Sequence, residues 1–379
     1  MKYRYRAATR QLQLLHAAVT AAWLLLSSCT SLPPQQEFEP QLPTARQSLP
    51  FTGAEAATIA LADKATAQAP NAMKIVSTAG RLPDDPVAQA SQAARMDWYA
   101  MLALAQAAKI TGDRRYGDAL EAYFSAWAAI YEPQAQPIDE THFHQIVLAY
   151  ETAGQYLSVP TQAQTIKLFR RMVNVLFDSR RIQQGTDKNN WQSHRVKLAT
   201  ALAFVLQEPA LIEVSRAAFR KQVSRNIDAD GVVLDFRQRD ALHYVTYSLE
   251  PMLTAALIAR QHGEDWYGFK ASSGASLAAA LQWLAPYADG EKVHLEFQRT
   301  SIPFDRQRAQ AGVPGFSGLW DPAGAISCYH LAARLDARWI ERAIRLGNAQ
   351  PWLELAYPSP LIAAAQASLP RAQASPEMP

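Results

Sequence analysis

The sequence contains very little cysteine, and this scarcity excludes several covalent and metal-stabilised structures. Its 379 residues include two cysteines, Cys29 and Cys328. Because Cys29 ends a leader-like segment, Cys328 is left alone, and one cysteine can form neither an internal disulfide nor a structural zinc site by itself. The stretch "AISCYHLAA" around Cys328 has helical spacing, so we expect a buried thiol there.

The chain also has little net charge once its first residues are set aside. The formal net charge is +3, and no acidic residue precedes Cys29. Four basic residues do precede it: Lys2, Arg4, Arg6 and Arg10. Losing those four charges takes the net charge from +3 to −1. We therefore expect no nucleic-acid partner, and attraction to an acidic polymer must come from a local basic cluster.

Strand-like sequence is scarce, whereas helical spacing recurs along most of the chain. Two stretches alternate enough for short strands or loops, "GVVLDF" (231–236) and "KVHLEFQ" (292–298). Eleven or twelve segments have helical spacing instead. One of them ends at Gly112 and the next begins at Asp113, so these two helices should form a tight antiparallel hairpin.

A dozen helices in tight pairs fit two architectures, an α-solenoid or an α/α toroid. A solenoid shows a fixed sequence period, and we find none here. The helix pairs carry different aromatic and polar residues, as expected when one end of a ring forms a site. We therefore predict an all-α fold: a single (α/α) toroid, or incomplete α/α barrel, of helical hairpins with few short strands over residues 53–375.

The N-terminal segment predicts secretion with a lipid anchor. A basic start precedes the apolar run "LLHAAVTAAWLLL" and then "LSSC", which resembles a bacterial lipobox. We predict a lipoprotein signal peptide over residues 1–28, lipidation of Cys29 and a Pro-rich tether over 29–52. Because Thr30 rather than an aspartate follows Cys29, we expect a periplasmic protein anchored to the outer membrane. An ordinary signal peptide is the alternative.

The chain has no phosphate-binding glycine loop, no paired-histidine metal motif and no nucleophile elbow. Unusual residues instead concentrate in four regions, each at a helix start or in a loop before one. These regions are "RMDWY" (95–99), "PIDETHFHQ" (137–145), "DKNNWQSHRVKLATALAF" (187–204) and "DFRQRDALHYVTYSLEP" (235–251). In a ring of hairpins, such helix ends line a single face.

The third region begins with residues that suit either a ligand or a helix cap. Asn190 and His194 are four apart, so in a helix they share one face and can touch the same ligand. Trp191 could stack on a sugar ring. The alternative is that Asn189 or Asn190 caps the helix, Trp191 packs against a neighbouring helix pair and His194 is solvated.

The fourth region places Arg237 and Tyr244 seven residues apart, which is two turns if one helix is continuous. Tyr247 extends that side, and Pro251 predicts a bend or a restart of the helix. The alternative is a tyrosine-rich core face with surface arginines. Four side chains are further candidates for substrate contact: His144, Trp98, Arg239 and Tyr247.

Histidines and tryptophans need separate interpretation. His142 and His144 flank Phe143, and residues two apart on a helix point away from each other, so we predict no metal site. Among nine tryptophans, Trp98, Trp191 and Trp320 adjoin polar clusters. A carbohydrate groove would use such rings as platforms.

Several stretches resemble the alginate lyase family, polysaccharide lyases built on an α/α toroid. They are "PIDETHFHQIVLAYE" (137–151), "NNWQSH" (189–194), "RQRDALHYVTYSLEP" (237–251) and "PFDRQRAQAG" (303–312). The likeness extends from about residue 55 to residue 345. It implies cleavage of alginate or a similar uronate polymer by β-elimination, with no cofactor or metal in the chemical step.

The resemblance also implies residue roles. In β-elimination the C5 proton of a uronate is removed, and amide, histidine and arginine groups offset its carboxylate. Asn190 and Arg237 would be such neutralisers, and Tyr244 would be the acid and could also serve as the base. The base role requires nearby positive charge that lowers the pKa of the phenol.

One position departs from the family pattern. The family has histidine directly after the second asparagine, where this chain has Trp191, and His194 comes three residues later. One helical turn could return His194 to the same side, or it could be unrelated. Two other functions remain open: a toroid glycoside hydrolase, using two of Asp97, Asp139, Glu140 and Asp235, or a non-catalytic polysaccharide-binding lipoprotein.

Overall fold

The computed structural model describes residues 51–368, and the regular structure in that range is helical. The fifteen α-helices are α1 Gly53–Thr66, α2 Pro86–Thr111, α3 Arg114–Ile130, α4 His144–Ala153, α5 Val159–Phe177, α6 Asn190–Val205, α7 Pro209–Asn226, α8 Leu234–Arg239, α9 Leu242–Gln261, α10 Leu277–Ala288, α11 Pro303–Gln310, α12 Ile326–Leu335, α13 Ile340–Leu346, α14 Pro351–Ala356 and α15 Pro360–Ala367. The predicted signal peptide, Cys29, most of the tether and the domain end at residue 375 lie outside the described residues.

The helices form two layers of a toroid, as predicted from the sequence. Helices α2, α4, α6, α9 and α12 pack one against the next and are buried along most of their length. Helices α3, α5 and α7 pack outside them and bury one face each, so they are amphipathic. Helix α14 packs against α1 and α2. The inner helices therefore place their N-terminal halves at a common end.

Local sequence explains where the first hairpin turns. The backbone of Gly112 has φ of 69°, a left-handed conformation that favours glycine, and its N–H bonds the Ala108 carbonyl. Asp113 then caps α3 by accepting from the Arg115 N–H at 2.9 Å. The predicted hairpin of α2 and α3 is confirmed. At the domain start, Thr52 and Glu55 form a reciprocal capping box for α1.

The predicted number of helices is too small by three or four. Helices α8, α11, α13 and α14 have six to eight residues each. Two turns or fewer hold too few apolar positions for a 3.6-residue period to stand out. The two strand-like stretches supply one residue each to isolated bridges, Ile227 with Val233 and Leu295 with Leu319.

The restart of the helix predicted as one possibility at Pro251 does not occur. Helix α9 continues through Pro251 from Leu242 to Gln261. A proline costs a helix one hydrogen bond and crowds the preceding turn. Here α9 is buried against α6 and α12, so tertiary packing outweighs that cost. No helix between residues 51 and 368 is long and apolar enough to cross a membrane.

Candidate functional site

A small cavity, to which many polar residues contribute, lies among the inner helices. Its volume is about 140 Å³, several times the roughly 30 Å³ that one water occupies in the liquid. The lining includes polar side chains from five segments of the chain: Tyr99, Thr141, His142, His144, Gln145, His194, Lys197, Tyr247, Glu250 and Ser327. Three of the residues predicted for the site, His144, His194 and Tyr247, therefore meet at one cavity.

A buried cation and a threonine surround His194. The Thr141 hydroxyl lies 2.6 Å from Nδ1 of His194. The Lys197 ammonium donates to the same hydroxyl oxygen at 2.9 Å. The other ring nitrogen of His194, Nε2, is buried without a hydrogen-bond partner among the described residues. We call Thr141, His194 and Lys197 the histidine side of the site.

His144 is held differently, although it lines the same cavity. Its Nδ1 lies 2.9 Å from the Thr141 carbonyl, which can only accept, so Nδ1 must carry the proton. Its Nε2 then accepts from the Gln145 side-chain amide at 3.2 Å. Both ring nitrogens are engaged within the protein. The predicted contact of His144 with substrate therefore has no free ring nitrogen to use in this conformation.

Burial keeps these histidines neutral. It holds the pKa of His194 and of His144 well below the ordinary value, and the nearby Lys197 charge acts in the same direction. Burial lowers the pKa of His142 to about 3. Burial also lowers the pKa of Lys197 to about 8, which the Glu250 carboxylate opposes. At neutral pH the lysine is therefore the positive charge of the histidine side.

Two arginines surround the hydroxyl and ring of Tyr244. Arg308, from α11, donates to the Tyr244 hydroxyl at 2.9 Å. The guanidinium of Arg239 lies 3.8 Å from the centre of the Tyr244 ring, a cation–π arrangement. Asp305 accepts from Arg239. We call Tyr244, Arg239 and Arg308 the tyrosine side of the site.

A segment outside the inner helices covers the tyrosine side. Phe297 and Phe316 stack on each other at 5.0 Å between ring centres and form a small apolar cluster with Tyr244. Tyr244 is 6% exposed as a result. Burial raises its pKa, whereas Arg239 and Arg308 act to lower it. The lowered pKa required for a base role is therefore not found, and the phenol stays protonated.

Tyr247 connects the two sides. Its ring centre lies 4.4 Å from that of His194 and 6.0 Å from that of Tyr244. His243 lies next to both tyrosines, with ring centres at 5.2 Å from Tyr244 and 6.2 Å from Tyr247. Burial lowers the pKa of His243 to about 4, so its imidazole is neutral. A continuous row of ionisable rings thus extends from His194 to Tyr244.

The structure does not bring Arg237 to Tyr244. Its side chain is 57% exposed and pairs with Asp228. The seven-residue spacing assumed one helix, but α8 ends at Arg239, Asp240 adopts a left-handed conformation at φ of 53°, and α9 begins two residues later. The direction of the chain changes at this point. Arg239, rather than Arg237, reaches the tyrosine ring.

Asn190 lies beside the site but is bound to protein. Its side-chain amide donates to Asp235 at 2.5 Å, and Asn226 donates to the other oxygen of that carboxylate. Asn190 Oδ1 is buried without a partner in the described part of the chain. Asn189, not Asn190, caps α6, accepting from the Trp191 N–H. The Trp191 side chain is half-buried in the first turn, and its contact with substrate stays a prediction.

Trp98 is not in a groove, and its predicted role as a sugar platform is wrong. It is 0% exposed. Its indole packs edge-on against Trp127, Tyr131 and Phe143, with ring centres 5.4 to 6.0 Å away. The polar neighbours that suggested a site belong to the other faces of α2. Helical periodicity alone did not distinguish these faces, because α2 is buried on most of its surface.

The four carboxylates considered for hydrolysis bind the protein itself. Asp97 accepts from the Trp127 indole, and Asp235 accepts from Asn190. Asp139 accepts from three donors of residues 78–79, and Glu140 accepts from the Tyr131 hydroxyl. All four are buried. They stabilise loops and helix starts, and no pair of them faces an open groove.

The cysteine prediction is confirmed, and the described residues hold no candidate metal centre. Cys328 is a buried free thiol, and burial raises its pKa well above the ordinary value. Within residues 51–368 no cluster of three or more histidine, cysteine or carboxylate side chains has a geometry that could hold a metal ion.

Four residues of the site were not singled out from the sequence: Thr141, Lys197, His243 and Arg308. Thr141 and His243 lie inside two of the four regions, and Arg308 lies inside the stretch "PFDRQRAQAG". The sequence therefore indicated these regions but not which of their residues form the site. Lys197 lies inside the region 187–204 as well, at the start of its apolar half. Only its burial next to Thr141 identifies it as part of the site.

Comparisons with known proteins agree with this architecture. The family model described as alginate lyase matches residues 41–294. A polysaccharide lyase from Stenotrophomonas maltophilia (strain K279a) is 29% identical over 141 residues, which is 35% of this chain and 40% of that protein. The chain thus matches less than half the length of that relative.

Two solved structures share the fold. An alginate lyase from Bacteroides ovatus superposes with a TM-score of 0.62 at 17% identity, covering 80% of this chain and 92% of that one. A histidine-to-alanine variant of alginate lyase A1-III, from Sphingomonas species A1, complexed with tetrasaccharide, has a TM-score of 0.56 at 19% identity, covering 83% of this chain and 86% of that one. At these identities the likeness concerns the fold.

Proposed function

The chain belongs to the alginate lyase family, and from that premise we propose that it is a polysaccharide lyase that cleaves a uronate polymer by β-elimination. The observation that carries the proposal is the row of side chains from His194 through Tyr247 to Tyr244. It combines an unpartnered imidazole nitrogen, a buried cation and a phenol bound by two arginines. Such a set suits a carboxylated sugar.

The histidine side is the proposed neutraliser of the uronate carboxylate. Removing the C5 proton builds negative charge on that carboxylate, and preorganised donors in a site with little water stabilise it. His194 and Lys197 both line the cavity, and Nε2 of His194 has no protein partner among the described residues. Asn190 is less suited, because its amide already serves Asp235. Arg237 is unsuited, since it is exposed and paired with Asp228.

Tyr244 is the proposed acid that protonates the departing O4. A proton donor must hold its proton before the reaction, and burial raises the pKa of Tyr244. When the proton leaves, a phenolate forms next to Arg308 and Arg239, which stabilise it. In this conformation Tyr244 is 6% exposed beneath Phe297 and Phe316, so a sugar reaches the hydroxyl after these two rings move aside, with Arg308 still in place.

Two routes are open for removal of the C5 proton: His243 takes it while Tyr244 gives its own proton to O4, or a Tyr244 phenolate takes it and passes the same proton to O4. The His243 imidazole is neutral at ordinary pH and lies beside Tyr244. The substitution His243→Gln distinguishes between His243 and Tyr244 as the base. A loss of about 10² in kcat or more assigns the base to His243, following the usual worth of a positioned base. An unchanged kcat assigns both steps to Tyr244.

The proposed substrate is alginate or a related polymer of uronic acids. The family and the tetrasaccharide complex of alginate lyase A1-III support this choice. The test incubates purified protein with polymannuronate, polyguluronate, glucuronan and glycosaminoglycans, and follows the ultraviolet absorbance of the unsaturated uronate product. Absorbance with one polymer names the substrate. Binding of a polymer without product would instead indicate a non-catalytic binding protein, and would contradict the proposal.

We further propose that Cys29 carries the lipid anchor and that the protein resides in the periplasm on the outer membrane. The support is the sequence "LSSC" after an apolar run. Detergent partitioning and membrane fractionation of the wild type and Cys29→Ser test this. The wild type should partition with detergent and outer membrane, and Cys29→Ser should not. A wild type that stays in the aqueous phase contradicts the anchor.

A further inference from the structure

Three polar atoms in the histidine side form a chain in which each hydrogen can be assigned. Lys197 Nζ lies 2.9 Å from Thr141 Oγ1, and Thr141 Oγ1 lies 2.6 Å from His194 Nδ1. All three side chains are buried. The remaining ring nitrogen, Nε2, has no partner within the described residues, and His194 lines the cavity.

The donor roles follow from chemistry. An ammonium group can only donate, so Thr141 Oγ1 must accept from Lys197. The threonine hydroxyl has one hydrogen of its own. Among the described residues, His194 Nδ1 is the other hydrogen-bond partner of Oγ1, so that hydrogen points to Nδ1. Nδ1 therefore accepts, and a neutral His194 must hold its proton on Nε2.

His144 shows that this arrangement is specific to His194. The two rings line the same cavity, yet His144 donates from Nδ1 to a backbone carbonyl and has the opposite tautomer. Its Nε2 is occupied by Gln145, whereas that of His194 has no partner in residues 51–368. A buried N–H without a partner loses the hydrogen bond that it would make in water, so a ligand that accepts this hydrogen bond gains affinity.

We propose that Thr141 and Lys197 are positioning residues that hold His194 as a neutral ring with its proton on Nε2, so that His194 donates a hydrogen bond to the substrate carboxylate and does not act as the base. The carboxylate as ligand rests on the proposed function, whereas the tautomer rests on contacts within the protein. Lys197 contributes twice, by orienting the Thr141 hydroxyl and by placing a positive charge beside the cavity.

The test reads the tautomer directly. Ring ¹⁵N chemical shifts and long-range ¹H–¹⁵N couplings of the full chain, without substrate, distinguish Nδ1–H, Nε2–H and the imidazolium. We expect Nε2–H for His194 and Nδ1–H for His144 in the wild type at pH 7. An imidazolium or Nδ1–H at His194 overturns the proposal.

Variants connect the tautomer to the reaction. Thr141→Val removes the hydroxyl, and Lys197→Met frees that hydroxyl to accept from Nδ1–H. Both should give mixed His194 tautomers, and Thr141→Val should lower kcat about tenfold or more, the worth of one hydrogen bond, with a smaller change in KM. Thr141→Ser should restore tautomer and rate. Thr200→Val, a buried threonine of α6 that bonds its own helix, should change neither.

Failure of this inference differs from failure of the proposed function. A wild type with Nε2–H but no unsaturated product refutes lyase activity alone. A lyase whose His194 tautomer is unchanged by Thr141→Val and Lys197→Met refutes the positioning role alone. If Thr141→Val does not fold, the wild-type spectrum and Lys197→Met still decide the matter.

Discussion

The two sides of the site are built in different ways. The histidine side consists of side chains from the inner helix α6 and the turn before α4, all buried in the ring. The tyrosine side comes from the junction of α8 and α9 and from α11, which lies outside the inner helices. In the proposed reaction, the buried histidine side would receive the carboxylate and the tyrosine side would perform the proton transfer.

The two sides also differ in how their positive charges are paired with carboxylates. The histidine side carries its positive charge on Lys197, which is buried and has the Glu250 carboxylate as its electrostatic neighbour. The tyrosine side has two arginines that share Asp305, at 2.5 and 3.7 Å. The histidine side thus has one cation and one carboxylate, whereas the tyrosine side has two cations and one carboxylate. The excess positive charge of the tyrosine side suits the phenolate that would form on Tyr244 in the proposed reaction.

The largest expected effect is at Tyr244. Tyr244→Phe removes the proposed acid and keeps the ring, so elimination should fall by about 10²–10⁴-fold with polymer binding nearly intact. Steady-state kinetics and a binding titration measure the two quantities. Tyr287→Phe, on α10, provides a matched control at the same residue type. Full activity in Tyr244→Phe would remove the tyrosine side from the mechanism.

The next effect distinguishes two arginines of α8. Arg239→Gln takes away a cation stacked on Tyr244 and should lower kcat/KM about 10²-fold, as for loss of a preorganised donor. Arg237→Gln should change it by less than about threefold, because an exposed ion pair with Asp228 contributes little. Thermal unfolding of both variants checks that the fold survives when Asp305 loses its Arg239 partner. A larger loss at Arg237 would favour the pairing with Tyr244 that the seven-residue spacing predicts.

A smaller effect is expected at α11. Arg308→Gln replaces the charged guanidinium donor to the Tyr244 hydroxyl with a shorter neutral amide. Since hydrogen bonds to charged groups contribute about 1.5–3 kcal/mol, kcat should fall at least about tenfold. Arg306→Gln is the control, because Arg306 donates to the Thr300 carbonyl from the same helix. Equal rates for the two variants would show that α11 covers the site without taking part.

The smallest expected effect is on stability. The pKa of folded His194 is below its unfolded value of about 6.5, so the unfolded chain binds more protons and the histidine's contribution to stability is lost as pH falls below that value. The free energy of unfolding of wild type relative to His194→Gln should decrease by up to about 1.4 kcal/mol per pH unit between pH 6 and 5. Urea titrations of both proteins measure it. A constant difference would mean that His194 is not buried neutral.

Much of the fold was predictable because it depends on local signals. Long helices show a clear 3.6-residue period in their apolar residues. Gly112 indicates where one helix ends, and Asn189 indicates where another begins. The site was less predictable because its contacts are distant in sequence. Lys197 meets Thr141 across 56 residues, and Arg308 meets Tyr244 across 64. No periodicity connects such pairs.

The contact between Arg237 and Tyr244, inferred from their spacing, failed for a local reason. Arg237 and Tyr244 were placed on one helix, but the left-handed backbone at Asp240 separates α8 from α9. An aspartate tolerates that conformation better than most residues, yet its sequence signal is weak. The prediction for Trp98 failed for a different reason. Its neighbours in sequence are polar, but in the folded chain it packs in an aromatic core.

The most direct test of β-elimination is the chemistry of the product. Purified protein is incubated with the uronate polymer that it degrades, and unsaturated uronate ends and new reducing ends are counted in the same sample. β-Elimination predicts equal numbers of the two throughout the reaction, because each broken bond yields one of each. Reducing ends that accumulate without unsaturated ends would show hydrolysis, and would contradict the proposed roles of Tyr244 and His194.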